Sequence, residues 1–198
     1  DEYLKSMYNP RVTQYLRVTG FEKKCDGAAA VVVMPTEKAK AMGVPYAPIE
    51  VLGTGASAVE AGLLHNEHWA TKVAAKQVYD LTGVSPDEID LFMCNDFFLA
   101  SEIVSAEECG YIPRGEAWKY AIDGRTAFDG DKPINPHGGR CNFGHAHGAS
   151  GIADIVEAVK QMRGVAGATQ MKKIPETAFL RGFGGSQNVR CQILRTVA

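Results

Sequence analysis

The chain has 198 residues, 45% of them hydrophobic and 22% charged, a composition that excludes the disordered, collagen-like and low-complexity classes. Its 21 Lys+Arg against 23 Asp+Glu give a formal net charge of −2, which offers no electrostatic footprint for nucleic acid or an anionic membrane. No apolar run approaches the ~20 residues that span a bilayer, and roughly 70% of the unfolded surface of a chain this long can be buried, enough for one core or a tight pair of layers.

Residues 1–24 are polar and irregular, carry no secretory signal, and read as the middle of something longer. Ala28–Met34, small and then β-branched, predicts a strand buried on both faces. Pro35 and Gly43 bracket a short helix. Residues 47–53 predict a second strand that ends in a Gly-rich turn at GTGAS. From Trp69 to Thr82 the apolar positions Ala70, Val73, Ala74, Val78 and Leu81 recur close to the helical period, and Gly83 closes the helix. Ser85 as N-cap with Pro86 and two acids predicts a short helical turn. Leu91–Cys94 reads as a third buried strand, followed directly by a helix from about Phe97 to Glu108. The polar, Gly- and Pro-rich stretch from Gly110 to Gly148 is longer than an idle connection, which marks it as functional. A helix carrying Ile152, Ile155, Val156, Val159 and Met162 ends at Gly164. Ala178–Phe183 and Val189–Leu194 then flank GGSQN as an antiparallel pair. The alternation predicts an α/β layer: a mixed sheet of about five strands with helices on both faces and the strand-end loops on one rim.

Five cysteines, at 25, 94, 109, 141 and 191, are odd in number and lack CxxC spacing. That pattern argues against a zinc site or disulfide framework, and for free, mostly buried thiols in a reducing cytoplasm.

The densest group of chemically able residues is Asn135–Gly151, with three of the five histidines and glycines at 138, 139, 144, 148 and 151. It opens directly into a helix, whose N-terminus favours anions and biases a nearby imidazole toward its neutral form. His145 stands where a base or an oxyanion donor would be wanted; a tight turn with capping or solvated histidines is the plainer alternative. His145 and His147 lack a ligand spacing with acids nearby, so no metal is expected. At the end of the third strand, Asn95 can hold a water or a substrate oxygen, or serve with Asp96 as an N-cap. The glycines of RGFGGSQ (181–187) suggest a loop passing close to a ligand.

In order, a DGAAA strand, an N-D/E-x-F turn, an NPxGGxxxxGHxxGASG loop and a closing GxGG hairpin resemble the C-terminal half of the thiolase superfamily. The likeness covers about residues 10–198 and points to sterol-carrier-type and lipid-transfer-protein-like, acetyl-CoA acetyltransferase-like members. It implies a half of a layered α-β-α-β-α sandwich, with 1–24 as the end of an N-terminal half and 25–198 as a thiolase C-terminal-type domain. It implies that Asn95 anchors a water in an oxyanion hole and that His145 activates the nucleophile and binds the thioester oxygen. By the same likeness Gly184 and Gly185 lie by a second oxyanion hole, and Phe143 and Gly144 border the acyl pocket. The positions of the family's acid/base cysteine hold Arg181 or Gly182 and Phe97 here, and His147 is an added polar group that could substitute.

The implied activity is thiolytic cleavage of a 3-oxoacyl-CoA, or its reverse, as in β-oxidation, with coenzyme A as substrate and no covalently bound cofactor. The nucleophilic cysteine belongs to the family's N-terminal half. The alternatives are retro-aldol cleavage of a β-hydroxyacyl-CoA, with Tyr111 and Tyr120 as candidates by residue type, and a non-catalytic half kept for assembly. Implied partners are the acyl-CoA, the N-terminal half, further copies in a homo- or hetero-oligomer, and a small zinc-ribbon/OB-fold protein.

Overall fold

Along Leu91-Phe92-Met93-Cys94 successive side chains point to opposite faces, and all four are buried, so this strand needs cover on both sides. In the computed structural model, which describes residues 2–58, 67–184 and 188–197, that cover comes from helices. The strands are β1 (Ile49–Ala58), β2 (Leu91–Cys94), β3 (Thr177–Gly184) and β4 (Asn188–Thr196). The helices are α1 (Glu2–Lys5), α2 (Thr36–Ala41), α3 (Glu67–Thr82), α4 (Leu99–Glu108), α5 (Ala117–Ile122), α6 (Gly139–Asn142) and α7 (Ser150–Met162).

Phe92 and Cys94 join Phe179, Val189 and Ile193 on one face, under Ala70, Ala74 and Val78 of α3 and Ala106 of α4. Leu91 and Met93 join Ala178, Leu180 and Leu194 on the other, against Ala158 and Met162 of α7. The strands run in the order β1-β4-β3-β2, with β2 parallel to β3 and both β1 and β3 antiparallel to β4. The expected closing pair is therefore present, and the sheet is mixed with helices on both faces. Among the described residues no helix is long and apolar enough to cross a membrane.

Two expectations are corrected. The sheet has four strands among the described residues, not five, because Ala28–Met34 forms no strand and pairs with none of them. Val32 and Val33 are 83% and 81% exposed. A β-branched run dictates extended backbone, but a strand also needs a neighbour for its N–H and C=O groups. Nor does the second strand stop at Gly53. It continues through GTGAS to Ala58, paired with β4 across an irregularity between Val51 and Gly53. The glycines there serve close approach rather than turning. A Cβ on Gly53 would come within 2.7 Å of the Thr82 methyl, and one on Gly55 would fall on the Ala74 carbonyl oxygen of α3.

Candidate active site

Asn135 fastens the NPHGG loop to the end of β2. Its Oδ1 accepts the Cys94 N–H at 2.9 Å and its Nδ2 donates to the Cys94 carbonyl at 3.1 Å, so its carboxamide acts as a one-residue strand partner. The loop then turns through Gly138 (φ 102°) and Gly139 (φ 60°), conformations that favour glycine. At Gly139 any side chain would collide with the Asp96 carboxylate, whose Oδ1 accepts the Arg140 N–H at 2.7 Å. Arg140 is buried; it donates to the Ser150 carbonyl at 3.1 Å and pairs with Asp154. Burial pushes the Asp154 carboxyl up to about 6 against the opposing pull of Arg140.

His145 is held by main chain and side chain alike. Its N–H donates to Lys23 O at 2.8 Å and its carbonyl accepts the Cys25 N–H at 3.3 Å. Nδ1 lies 2.9 Å from Ser150 Oγ, which also accepts the Ala146 N–H at 3.0 Å. Nε2 faces the Glu22 carboxylate at 3.4 Å. A lone pair on Nε2 would oppose that anion. The favoured tautomer therefore carries its proton on Nε2, with the serine hydroxyl donating to Nδ1. Burial, more than any charge, lowers the His145 pKa; Glu22 pulls it up, while Arg140 and His147 push it down. The neutral form expected from the sequence is favoured, chiefly by desolvation.

Asn95 is buried, and its carboxamide is engaged at both ends. Oδ1 accepts the Phe97 N–H at 3.2 Å, and Nδ2 donates one of its protons to Phe183 O at 3.3 Å. Residues 21–25 then stitch this turn to the histidine loop. Glu22 N–H donates to Phe97 O at 2.9 Å, and Lys23 N–H to Arg140 O at 3.0 Å. Asn95 and His145 thus share one rim, joined through a segment the sequence presented as irregular.

His147 is exposed in a left-handed conformation (φ 46°), its ring 4.7 Å from that of His145. Phe143, half-exposed against His137, and Gly144 line an open cavity of about 530 Å³ between residues 25–30 and α7; neither His145 nor Asn95 is among its lining residues. Gly184 ends β3 beside Phe183, and Gly185 lies outside the described residues. Cys25 is the exposed cysteine; the other four are buried. Burial pushes the Cys94 and Cys109 thiols up, and that of Cys141 up to about 12, so these three keep their protons at neutral pH. Tyr111 stacks on Phe92 and donates to Pro133 O at 3.2 Å, and Tyr120 packs against the core under Arg125, so both are packing residues. Among the described residues no three His, Cys, Asp or Glu side chains gather as a metal cluster would require.

Sequence reasoning missed Ser150, Asp154 and Glu22. Ser150 had a signal: it stands five residues after His145, at the start of α7. Glu22 had none locally, because chain topology alone brings it to the histidine.

Glu102, in α4 behind the loop, faces Asn135 Nδ2 at 3.4 Å. Burial, with Asp96 adding, raises its carboxyl to about 7 from a usual 4.5. The folded state thus holds this proton more tightly than the unfolded chain, and the resulting stability is present below 4.5 and lost as pH rises through 7. Glu102→Gln, which keeps the neutral shape, is expected to gain about 1–3 kcal/mol over wild type at pH 8 and almost nothing at pH 4.5. Urea denaturation at both pH values checks this, and equal differences at the two would refute it.

Residues 55–195 match the family described as thiolase C-terminal domain-like. A benzoylsuccinyl-CoA thiolase subunit of Thauera aromatica is 34% identical over 171 residues, covering 83% of this chain and 43% of that protein. An acetyl-CoA acetyltransferase of Methanothermobacter thermautotrophicus is 34% identical over 192 residues, covering 92% of this chain and 49% of that one. A steroid side-chain-cleaving aldolase of Thermomonospora curvata is 28% identical over 151 residues, covering 70% and 37%. The solved Ltp2-ChsH2(DUF35) aldolase shares the fold, with a TM-score of 0.75 at 22% identity over 95% of this chain and 49% of that chain. The chain spans about half the length of the first two of these relatives and less of the third.

Proposed function

This chain belongs to the thiolase superfamily, matching its C-terminal domain, and we propose that it forms the C-terminal half of an acyl-CoA enzyme that breaks or makes a carbon–carbon bond beside a thioester. The observation that carries this reading is the meeting of His145, the Asn95 turn and the Phe183 end of β3 on one rim, stitched by residues 21–25. Coenzyme A enters as part of the substrate, and the chemistry needs no covalently bound cofactor. Cleavage develops negative charge on the thioester oxygen, and one well-placed donor there is worth on the order of 10²–10³ in rate. In this reading the Nε2–H of His145, a water held by Asn95, and the backbone at Gly184 and Gly185 supply such donors. His147 stands in as a proton-transfer group, and Phe143 and Gly144 border the acyl chain. In this reading the other half of the layered sandwich packs on this one and a small zinc-ribbon/OB-fold protein completes the assembly, as the family resemblance implies; the names of a thiolase subunit and an Ltp2-ChsH2 aldolase point to complexes for those relatives.

Two reactions fit this frame. Thiolysis of a 3-oxoacyl-CoA needs a cysteine nucleophile from the other half and a second thiol as acid/base. Retro-aldol cleavage of a 3-hydroxyacyl-CoA needs neither. A specific observation favours the second: a carboxylate, Glu22, sits 3.4 Å from His145 Nε2. A carboxylate there offers an acceptor for the proton of a β-hydroxyl group, which a 3-hydroxyacyl substrate carries and a 3-oxoacyl substrate lacks. The deciding experiment gives the intact protein a 3-hydroxyacyl-CoA, or a 3-oxoacyl-CoA with free CoA, and traps acyl-enzyme with labelled acyl-CoA. Release of a carbonyl product from the hydroxy substrate without trapped acyl-enzyme is the expected outcome. Trapping with CoA-dependent turnover would restore thiolysis, and turnover of neither substrate would remove the enzymatic reading.

A further inference from the structure

We propose that the general base of this site is Glu22, which takes the hydroxyl proton of a 3-hydroxyacyl thioester while His145 and Ser150 hold it in place. The proposal rests on the retro-aldol reading and deepens it. Ser150, His145 and Glu22 form a line: Ser150 Oγ lies 2.9 Å from Nδ1, and Nε2 lies 3.4 Å from the carboxylate. Exposure rises along it. Ser150 is 4% exposed, the His145 side chain 10% and the Glu22 side chain 21%. Ser150, which also borders the cavity, already accepts the Ala146 N–H and is placed to orient the ring. The carboxylate is the most exposed member of the line.

Lys23, next in sequence to Glu22, turns its amine to the carbonyls of Val18 and Phe21, both at 3.1 Å. The other acids near the loop are committed, Asp96 to the Arg140 N–H and Asp154 to the Arg140 guanidinium. Arg140 from α6, His147 from the following turn and Asp96 from the end of β2 complete the charged groups around His145. The ring is biased toward its neutral form by burial, so Nε2 faces Glu22 without a permanent opposing charge.

The step balances within the substrate. The Glu22 carboxylate takes the proton from the β-hydroxyl, and the C–O electrons close to a carbonyl. The Cβ–Cα bond breaks and its electron pair passes to the thioester as an enolate. The proton now on Glu22 then goes to Cα, which gives a carbonyl product and a shortened acyl-CoA and restores the carboxylate.

Steady-state kinetics of the intact protein on a 3-hydroxyacyl-CoA test this, with wild type, Glu22→Gln and Glu22→Asp. Glu22→Gln is expected to lower kcat about 10²–10⁴-fold with KM nearly unchanged, and to abolish the acidic limb of the kcat–pH profile. Glu22→Asp should retain part of the rate and the limb. The side chain is partly exposed and the segment is held by main-chain bonds, so circular dichroism and melting should match wild type. A Glu22→Gln kcat within about threefold of wild type, or an acidic limb that survives, overturns the base assignment while leaving the aldolase reading intact. A wild type that works through a trapped acyl-enzyme overturns both.

Discussion

Asp154→Ala is expected to cost about 3–5 kcal/mol of folding stability, because it strands a guanidinium inside the protein. Arg140 is only 2% exposed, and Asp154 is its carboxylate partner. The nearby His137 cannot replace that charge. Its Nε2 lies 3.9 Å from Asp154, and burial, with Arg140 adding, lowers its pKa to about 4, so at neutral pH it is an uncharged ring. Much of the total stability of an ordinary domain would be lost. Removing both charges together, as Arg140→Met with Asp154→Leu, should recover most of the loss, because the penalty comes from the unpaired charge and not from a missing attraction. Urea denaturation of the single and double variants checks this. A single-variant loss below about 1 kcal/mol would mean that water reaches Arg140 and that the pair is not desolvated.

His145→Ala in the intact protein is expected to lower kcat on its acyl-CoA substrate about 10²–10⁴-fold with little change in folding. The main-chain bonds of residue 145 to Lys23 and Cys25 do not need the ring. What is lost is the Nε2–H, which donates in either proposed reaction, and the ring that faces the Glu22 carboxylate. Circular dichroism alongside steady-state rates separates the two effects. A folded variant with near-wild-type turnover would take the imidazole out of the chemistry altogether.

The parts of this molecule legible in its sequence are those governed by local pattern. The apolar spacing of Ala70, Ala74 and Val78 found α3, and Ile152, Ile155 and Val159 found α7, because one-sided burial writes a period into a helix. The four buried residues of β2 and the closing pair of strands were legible for the same reason. Failures began where structure depends on what lies opposite. Nothing in Ala28–Met34 tells whether a neighbouring strand exists, and nothing in GTGAS distinguishes a turn from a strand thinned to admit α3. The site divides the same way. His145 and Asn95 belong to motifs, and the glycines around 138 and 139 announced a tight loop. Glu22 reaches His145 across most of the chain, through pairing of residues 21–25 with the loop, and no composition or spacing encodes that meeting.

Those paired residues do not end at the histidine. Shortly after Cys25 the same backbone becomes the uncovered valine run, so the thread that grips His145 by its amide and carbonyl is also the thread left without a neighbour. A body packed along Val31–Val33 would therefore bear on the imidazole through a tether only a few peptide groups long, from those valines back to the Lys23 and Cys25 bonds.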